Sequence, residues 1–264
     1  SLGLGGDNSG FLGQVAINAG TLSVASATAL PATLNLAINP GGTLNFDGTA
    51  STFTLNDLAS LSVVGNGDGG VVGAITSTGA NATAYAGPIT WNGDTTIGGS
   101  GVLTLSSPIN GTFALNKIGT SALTLGPIGS VTPLTSVTTA AGGSTTVNSV
   151  ATSGAQTYND AVTLNGNATT TSTTNGAITF AQAITGGGFS LDVNTGGAGK
   201  IQNGATGLST LTTDATGTTE LSGTISTSGN QTYNDAVTLT GNTTTTSTTN
   251  GAITFAQAIT GGGF

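Results

Sequence analysis

Apolar residues recur two positions apart along most of this chain. Val15/Ile17, Leu22/Val24, Leu34/Leu36/Ile38, Leu44/Phe46, Phe53/Leu55 and Leu61/Val63 open it, and Leu103/Leu105, Phe113/Leu115 and Leu123/Leu125 follow. Spacing by two puts both side chains of a pair on one face of a β-strand. Each run is short and bounded by turn residues such as Asn39-Pro40-Gly41-Gly42 and Asn66-Gly67-Asp68-Gly69-Gly70. Gly and Asn tolerate positive φ there, and Pro presets φ. No segment carries a 3.6-residue period over three turns. The pattern predicts an all-β protein of many short strands.

A long internal repeat decides how those strands are arranged. Residues 152–189 read TSGAQTYNDAVTLNGNATTTSTTNGAITFAQAITGGGF, and residues 227–264 repeat them with changes only at Ala155/Asn230, Asn165/Thr240 and Ala168/Thr243. A near-duplicate of this length predicts stacked units, each burying its apolar face on its neighbours. The expected fold is a parallel β-helix, a β-solenoid. The residues expected to point inward are Val162, Leu164, Ile178, Phe180 and Ile184, their twins Val237, Leu239, Ile253, Phe255 and Ile259, and also Leu191/Val193 and Leu221/Ile225. Corners are expected at Asn159-Asp160, Ala181-Gln182 and Gly186-Gly187-Gly188. Candidate coil starts at residues 198–201, 218–221 and 243–246 imply about three coils per 75-residue unit, with the copies three layers apart. Some 10 to 13 coils at about 4.8 Å each would make a rod on the order of 50–60 Å long.

A weaker echo, LTSVTTAAGGSTTV from Leu134 against LSTLTTDATGTTEL from Leu208, starts the repeat zone near residue 130. We therefore expect a segment 1–130 with looser spacing and a segment 131–264 with 75-residue repeats, continuous with each other. Phe189 runs on into SLDVNTGGAGK whereas its twin Phe264 is the last residue, so an internal piece of a longer chain is expected.

Composition narrows the function. Charged residues make up 5% of the 264, against roughly a quarter in ordinary soluble domains, and roughly a fifth are threonine. The surface must be covered by Thr, Ser, Asn and Gly. Disorder fits poorly, because 36% of residues are apolar and regularly placed. The net charge is −8 with two cations, Lys117 and Lys200. Nucleic-acid binding, which neutralises phosphates with Lys and Arg, is not expected, and no apolar run is long enough to span a membrane. The absence of His and Cys removes Ser/His and Cys/His catalysis and thiolate zinc sites. The ten acids are scattered singly, so no catalytic residues, cofactor or metal site are expected. Residues 66–70 look like a fragment of a calcium turn, but the motif occurs once, and a plain loop is the expectation. Asp160 and Asp235 recur with the repeat and are expected to form Asx turns at corners. Tyr158, Tyr233, Tyr85 and Trp91 could stack on sugars, though core packing is the expected role.

Some of these residues resemble known families. Tyr85-Ala86-Gly87-Pro88-Ile89-Thr90, Gly93-Asp94-Thr95-Thr96-Ile97-Gly98, Leu103-Thr104-Leu105-Ser106, Leu115-Asn116-Lys117-Ile118-Gly119 and Leu123-Thr124-Leu125 resemble the autotransporter-associated β-strand repeat of bacterial passenger domains, and Gly20-Thr21-Leu22-Ser23-Val24 is similar to its GTLxV element. From residue 130 onward, QTYNDAVTL and NGAITF resemble filamentous-haemagglutinin-like repeats of large secreted bacterial proteins. The resemblance implies a right-handed parallel β-helix, export to the cell surface, and an adhesive or structural role. The expected function is a structural segment of a secreted bacterial surface fibre or adhesin that assembles with itself end to end or laterally. The alternative is a binding module presenting a Thr-rich face to ice or carbohydrate.

Few charges mean little lateral repulsion to screen. The melting midpoint is expected to stay nearly constant between low and high salt; a strong shift in a salt series would contradict this.

Overall fold

Alternating apolar positions close into β-solenoid turns. The computed structural model describes residues 1–8 and 10–264; among these the protein is all-β, with about 12 turns and parallel strand pairing. The one helical element among the described residues is a 3₁₀ turn, Asp68–Gly70. The chain divides into two compact units: Ser1–Pro127 with Ala140–Ser144, and Ile128–Thr139 with Thr145–Phe264.

In the first unit, strand after strand lies in register on the next. Leu22, Leu44, Ile75 and Ile97 form one inward file, and Lys117 is the next position in it. Leu44, Ile75 and Ile97 are almost fully buried, as is Lys117. Phe53, Thr83, Leu103 and Leu123 make a second file, and Leu55, Tyr85, Leu105 and Leu125 a third. The looser spacing of this zone has a local cause: from Asn45 to its partner Thr76 the chain travels 31 residues. The surplus is the loop 66–73, whose ends close on each other through a Gly67–Gly73 bridge.

The second unit has three faces per turn. Face I stacks Ser136–Thr139, Gln156–Tyr158, Ile178–Phe180, Ala198–Ile201, residues 218–221, residues 236–239 and Ile259–Gly261. Face II stacks Ala161–Leu164, Ile184–Thr185, Ala205–Leu208, residues 223–227 and residues 243–247. Face III stacks Val150–Thr152, Ala168–Ser172, Leu191–Thr195, Leu211–Thr213, Gln231–Tyr233 and Ile253–Phe255. One turn takes about 20 residues, as between the paired Lys200 and Glu220. Inward positions take Leu, Ile, Val and Phe, or threonine where the strand has no apolar member: Thr170, between Val150 and Val193, is buried. Corners are made by residues that accept left-handed backbone, such as Asn175 and Asn250, both at φ 64° in the same Thr-Asn-Gly turn. At Gly217 (φ 85°) a Cβ would run into the carbonyl oxygen of Gly197 in the turn before.

The two copies of the repeat do not sit three layers apart on one face. Gln156–Tyr158 lies on face I and its twin Gln231–Tyr233 on face III. The offset is 231 − 156 = 75 residues, and counted along the faces it spans eleven strand positions, or three turns and two thirds. Of the expected coil starts, 198–201 and 218–221 stack on face I, whereas 243–246 belongs to face II.

Burial separates the copies. Val162, Leu164, Ile178, Phe180 and Ile184 are buried, as are Leu191, Val193, Leu221, Ile225 and Val237. Leu239, Ile253 and Phe255 are only half-buried, and Ile259 is 49% exposed against 1% for Ile184. The first copy is covered by residues 191–206 of the next turn.

Phe180→Ala is expected to lose about 3–5 kcal/mol of unfolding free energy. Phe180→Asp is expected not to fold, since it buries an unpaired charge. A loss below about 1 kcal/mol for the alanine variant in denaturant titrations would overturn the inward assignment.

Candidate functional site: a buried polar cluster

The Gln-Thr-Tyr-Asn-Asp segment of each repeat builds the densest polar constellation in the second unit. Gln156 and Tyr158 alternate inward on one strand. The Gln156 amide nitrogen donates to the Val150 and Thr171 carbonyls (3.2 and 2.9 Å) and to Thr152 Oγ1 (3.3 Å), which ties together two stacked strands of the neighbouring face. Its carbonyl oxygen accepts the Tyr158 hydroxyl at 3.0 Å. The Tyr158 ring stacks on Phe180 of the next turn, with centroids 4.9 Å apart and planes 6° from parallel. Asp160 follows at the corner and turns inward, fully buried; Thr139 and Thr145 donate hydroxyls to its two oxygens at 2.6 and 2.7 Å.

The second copy rebuilds the cluster one face away. Gln231 donates to the Ile225 and Thr246 carbonyls and to Thr227 Oγ1 at 3.4, 2.8 and 3.3 Å, and accepts Tyr233 at 3.0 Å. Tyr233 stacks on Phe255 at 4.8 Å. Thr213 and Thr219 donate to Asp235 at 2.9 and 2.8 Å, while the Asn234 amide N–H donates to Thr213 Oγ1. Every polar atom thus has a partner, which makes a buried network rigid and specific.

Asp160 and Asp235 are therefore interior anchors bonded to threonines of neighbouring strands, where Asx turns at the corners were expected. The hydrophobicity pattern missed them because it reads Asp as exposed. The available signal was the echo between the segments starting at Leu134 and Leu208: it pairs Thr139 with Thr213 and Thr145 with Thr219, the threonines that hold the two carboxylates. The three tyrosines are all buried and offer no platform. Trp91 is half-exposed and lies against Phe113 at 6.0 Å.

Outside the core, two surfaces stand out. In the first unit, loop 66–73 overhangs a shallow cleft of about 450 Å³ lined by Thr43, Asn45, Asp68, Val71 and Thr76. The cleft's groups are tied to each other: the Asp68 N–H donates to Thr43 Oγ1, Thr43 Oγ1 donates to the Gly73 carbonyl, and Asn45 bonds Ser23, Thr76 and Thr78. In the second unit, outward hydroxyls form files, each broken in its own way. On face I, Thr138, Thr157 and Thr179 give way to the Lys200–Glu220 ion pair (2.7 Å) before Thr238 and Thr260 resume. On face II, Thr163, Thr185 and Thr206 meet a register shift. On face III, Asp192 interrupts Thr169, Thr212, Thr232 and Thr254.

Among the described residues no group of three or more His, Cys, Asp and Glu could hold a metal ion. Comparison with known proteins returns no match: no family model, no curated protein and no solved structure is similar to the chain.

Burial raises the ionisation of all three tyrosines above its ordinary value; at Tyr158 the nearby Asp160 charge adds to the effect, and at Tyr85 the Asp57 charge does. A phenol whose folded pKa is raised contributes stability in full below its unfolded value near 10, and loses it as pH rises from there toward the folded value. At about pH 10.5 the folded protein is expected to show markedly less tyrosinate absorbance than protein unfolded in urea at the same pH. Normal titration in the folded state would place the rings in solvent. Asp235→Ala, which strands two buried hydroxyls, is expected to lose about 2–3 kcal/mol in denaturant unfolding; a loss below a few tenths would remove the anchor role.

Proposed function

We propose that this chain is a structural segment of a secreted bacterial surface fibre or adhesin, non-catalytic, that associates with copies of itself end to end or laterally. One observation carries the reading. The repeat reproduces a buried cluster, partner for partner, on a different face of the solenoid. Duplication here has kept what holds turns together. It has not kept an outward pattern on one side, because twins such as Thr163 and Thr238 point from different faces. A module that fits any face adds length, and length is what a fibre or a stalk requires. The bacterial and extracellular parts of the reading rest on the resemblance of the strand motifs to secreted repeat proteins.

A face that recognises ice or a glycan fits less well. Such a face needs one regular outward array on successive turns, and the threonine files are broken by Lys200–Glu220, by Asp192 and by the shift near Gly207.

Sedimentation and electron microscopy at rising protein concentration test the proposal. Concentration-dependent rods with a meridional spacing of about 4.8 Å are expected. A protein that stays monomeric at every concentration and yet shows thermal hysteresis or glycan-array binding would overturn the reading.

A further inference from the structure

Outward side chains are at least partly exposed over most of this chain, but one stretch of the first unit hides them. Thr43 and Asn45, which alternate with the inward Leu44 and Phe46, are buried, and so are the outward Thr76 and Thr96. The cover is loop 66–73. Thr43 Oγ1 ties it down, accepting the Asp68 N–H and donating to the Gly73 carbonyl, each at 2.8 Å. Thr96 adds a bond to Asn66 Oδ1 at 2.7 Å. The loop crosses the strands at Gly98, where a Cβ would run into the Val72 carbonyl oxygen. Glycine at that position lets the loop backbone lie on the strand, and so fixes where Val71 and Val72 stand.

The cover is incomplete, and the gap is the cleft of about 450 Å³. Asn45 and Thr76 line it, and both are held in place: Asn45 Nδ2 donates to Ser23 and Thr78 at 3.2 and 3.1 Å, and Thr76 donates to Asn45 Oδ1 at 3.0 Å. That network fixes the groups without exhausting them, since Asn45 Oδ1 and Thr76 Oγ1 each keep a lone pair. The Asp68 carboxylate and the Thr21 hydroxyl also line the cleft, and neither takes part in a hydrogen bond among the described residues. The remaining wall is aliphatic, made by Val71, which is 72% exposed, with Val72 and Ile118. Neither of the two cations of the chain lines it.

We propose that this cleft is a binding site for a neutral saccharide, with room for roughly one or two sugar rings on the scale of ordinary ligand pockets. A sugar ring has an apolar C–H face and an edge of hydroxyls, and the cleft supplies a counterpart to each. Val71, Val72 and Ile118 meet the face; Asn45, Thr76 and Asp68 meet the hydroxyls. The two oxygens of the Asp68 carboxylate accept protons from adjacent hydroxyls, and bonds to a charged acceptor are the strong ones. Phosphates, sulfates and acidic sugars are disfavoured, because Asp68 repels them and no cation offsets that repulsion. The wall is aliphatic rather than aromatic, so the expected affinity is in the millimolar range. A walled cleft holds a single ring or pair of rings, and needs no threonine array repeated on successive turns. The inference goes beyond the structural reading and does not rest on it.

The test is a nuclear magnetic resonance titration of the intact protein with maltose, cellobiose and lactose, with glucuronate as the acidic control. At least one of the three disaccharides is expected to shift the amide signals of Asn45, Asp68, Val72 and Thr76 saturably, while glucuronate leaves them in place. Asp68→Ala is expected to weaken that binding about tenfold, the worth of a hydrogen bond to a charged group. Val71→Ser, which removes part of the apolar wall, is expected to weaken it by a smaller factor. Both side chains are exposed, so neither variant is expected to move the melting midpoint. No saturable shift with any of the three disaccharides, equal binding of glucuronate, or undiminished binding by Asp68→Ala overturns the inference. The two proposals separate cleanly. Rods assembled by a protein that binds none of these sugars would sink this inference and leave the structural reading standing. Sugar bound in the cleft of a protein that never assembles would support the inference and sink self-association.

Discussion

Each turn of this protein is held by the turns it stacks against. Ile184 is buried between Val162 of the turn below and Ala205 of the turn above. The parallel backbone ladder is likewise a relation between turns, since a single strand in a parallel sheet has no hydrogen-bonding partner within its own turn. Stability is then a sum of nearest-neighbour terms, as in other stacked-repeat proteins.

The surface follows from the same constraint. Neighbouring turns lie about 4.8 Å apart, so outward side chains stack directly on their own kind, and rows of like charges would repel along every file. Threonine avoids this: it is β-branched and neutral, and its hydroxyl can bond the turn beside it, as that of Thr260 does with Thr238 and the Val237 carbonyl. Where two charges adjoin in one file they are opposite in sign, Lys200 over Glu220. The low charge content is therefore a packing consequence of the ladder.

Much of this was legible in the sequence. The two-residue alternation at Leu103/Leu105 or Val162/Leu164 names strands and their inward faces without reference to any partner, and the long duplicate implies stacking. What could not be read was the phase between them. The repeat length is visible; the turn length is not, because glycine corners of variable size separate the strands, and 75 residues are not a whole number of 20-residue turns. Hence an expected alignment of the copies became a shift of one face. The buried side chains of Asp160, Gln156 and Tyr158 were missed for a different reason. A hydrophobic pattern ranks residues one at a time, whereas a carboxylate is admitted to this interior by two threonines a turn earlier. Looser spacing between residues 42 and 75 had a third cause, an inserted loop that leaves the turns on either side in register.

The shift of face bears on what the duplication is for. A binding site gains from duplication when copies line up and one ligand meets both. Rotated by a third of a turn, the copies present Thr163 and Thr238 in different directions, and no ligand on one face meets both. The cluster of Gln, Tyr and Asp is indifferent to rotation, because its partners are drawn from the strand before it and from the turns directly below and above, which every face supplies in the same geometry. Gln156 reaches from face I to face III, and Gln231 from face III to face II, with the same set of contacts. A polar cluster of that kind sets register: slipping a strand by one residue would turn Gln and Tyr outward and strand the threonine hydroxyls inside. In a solenoid whose apolar positions are nearly interchangeable from turn to turn, hydrophobic burial alone tolerates many registers. The repeated cluster is the feature that selects one.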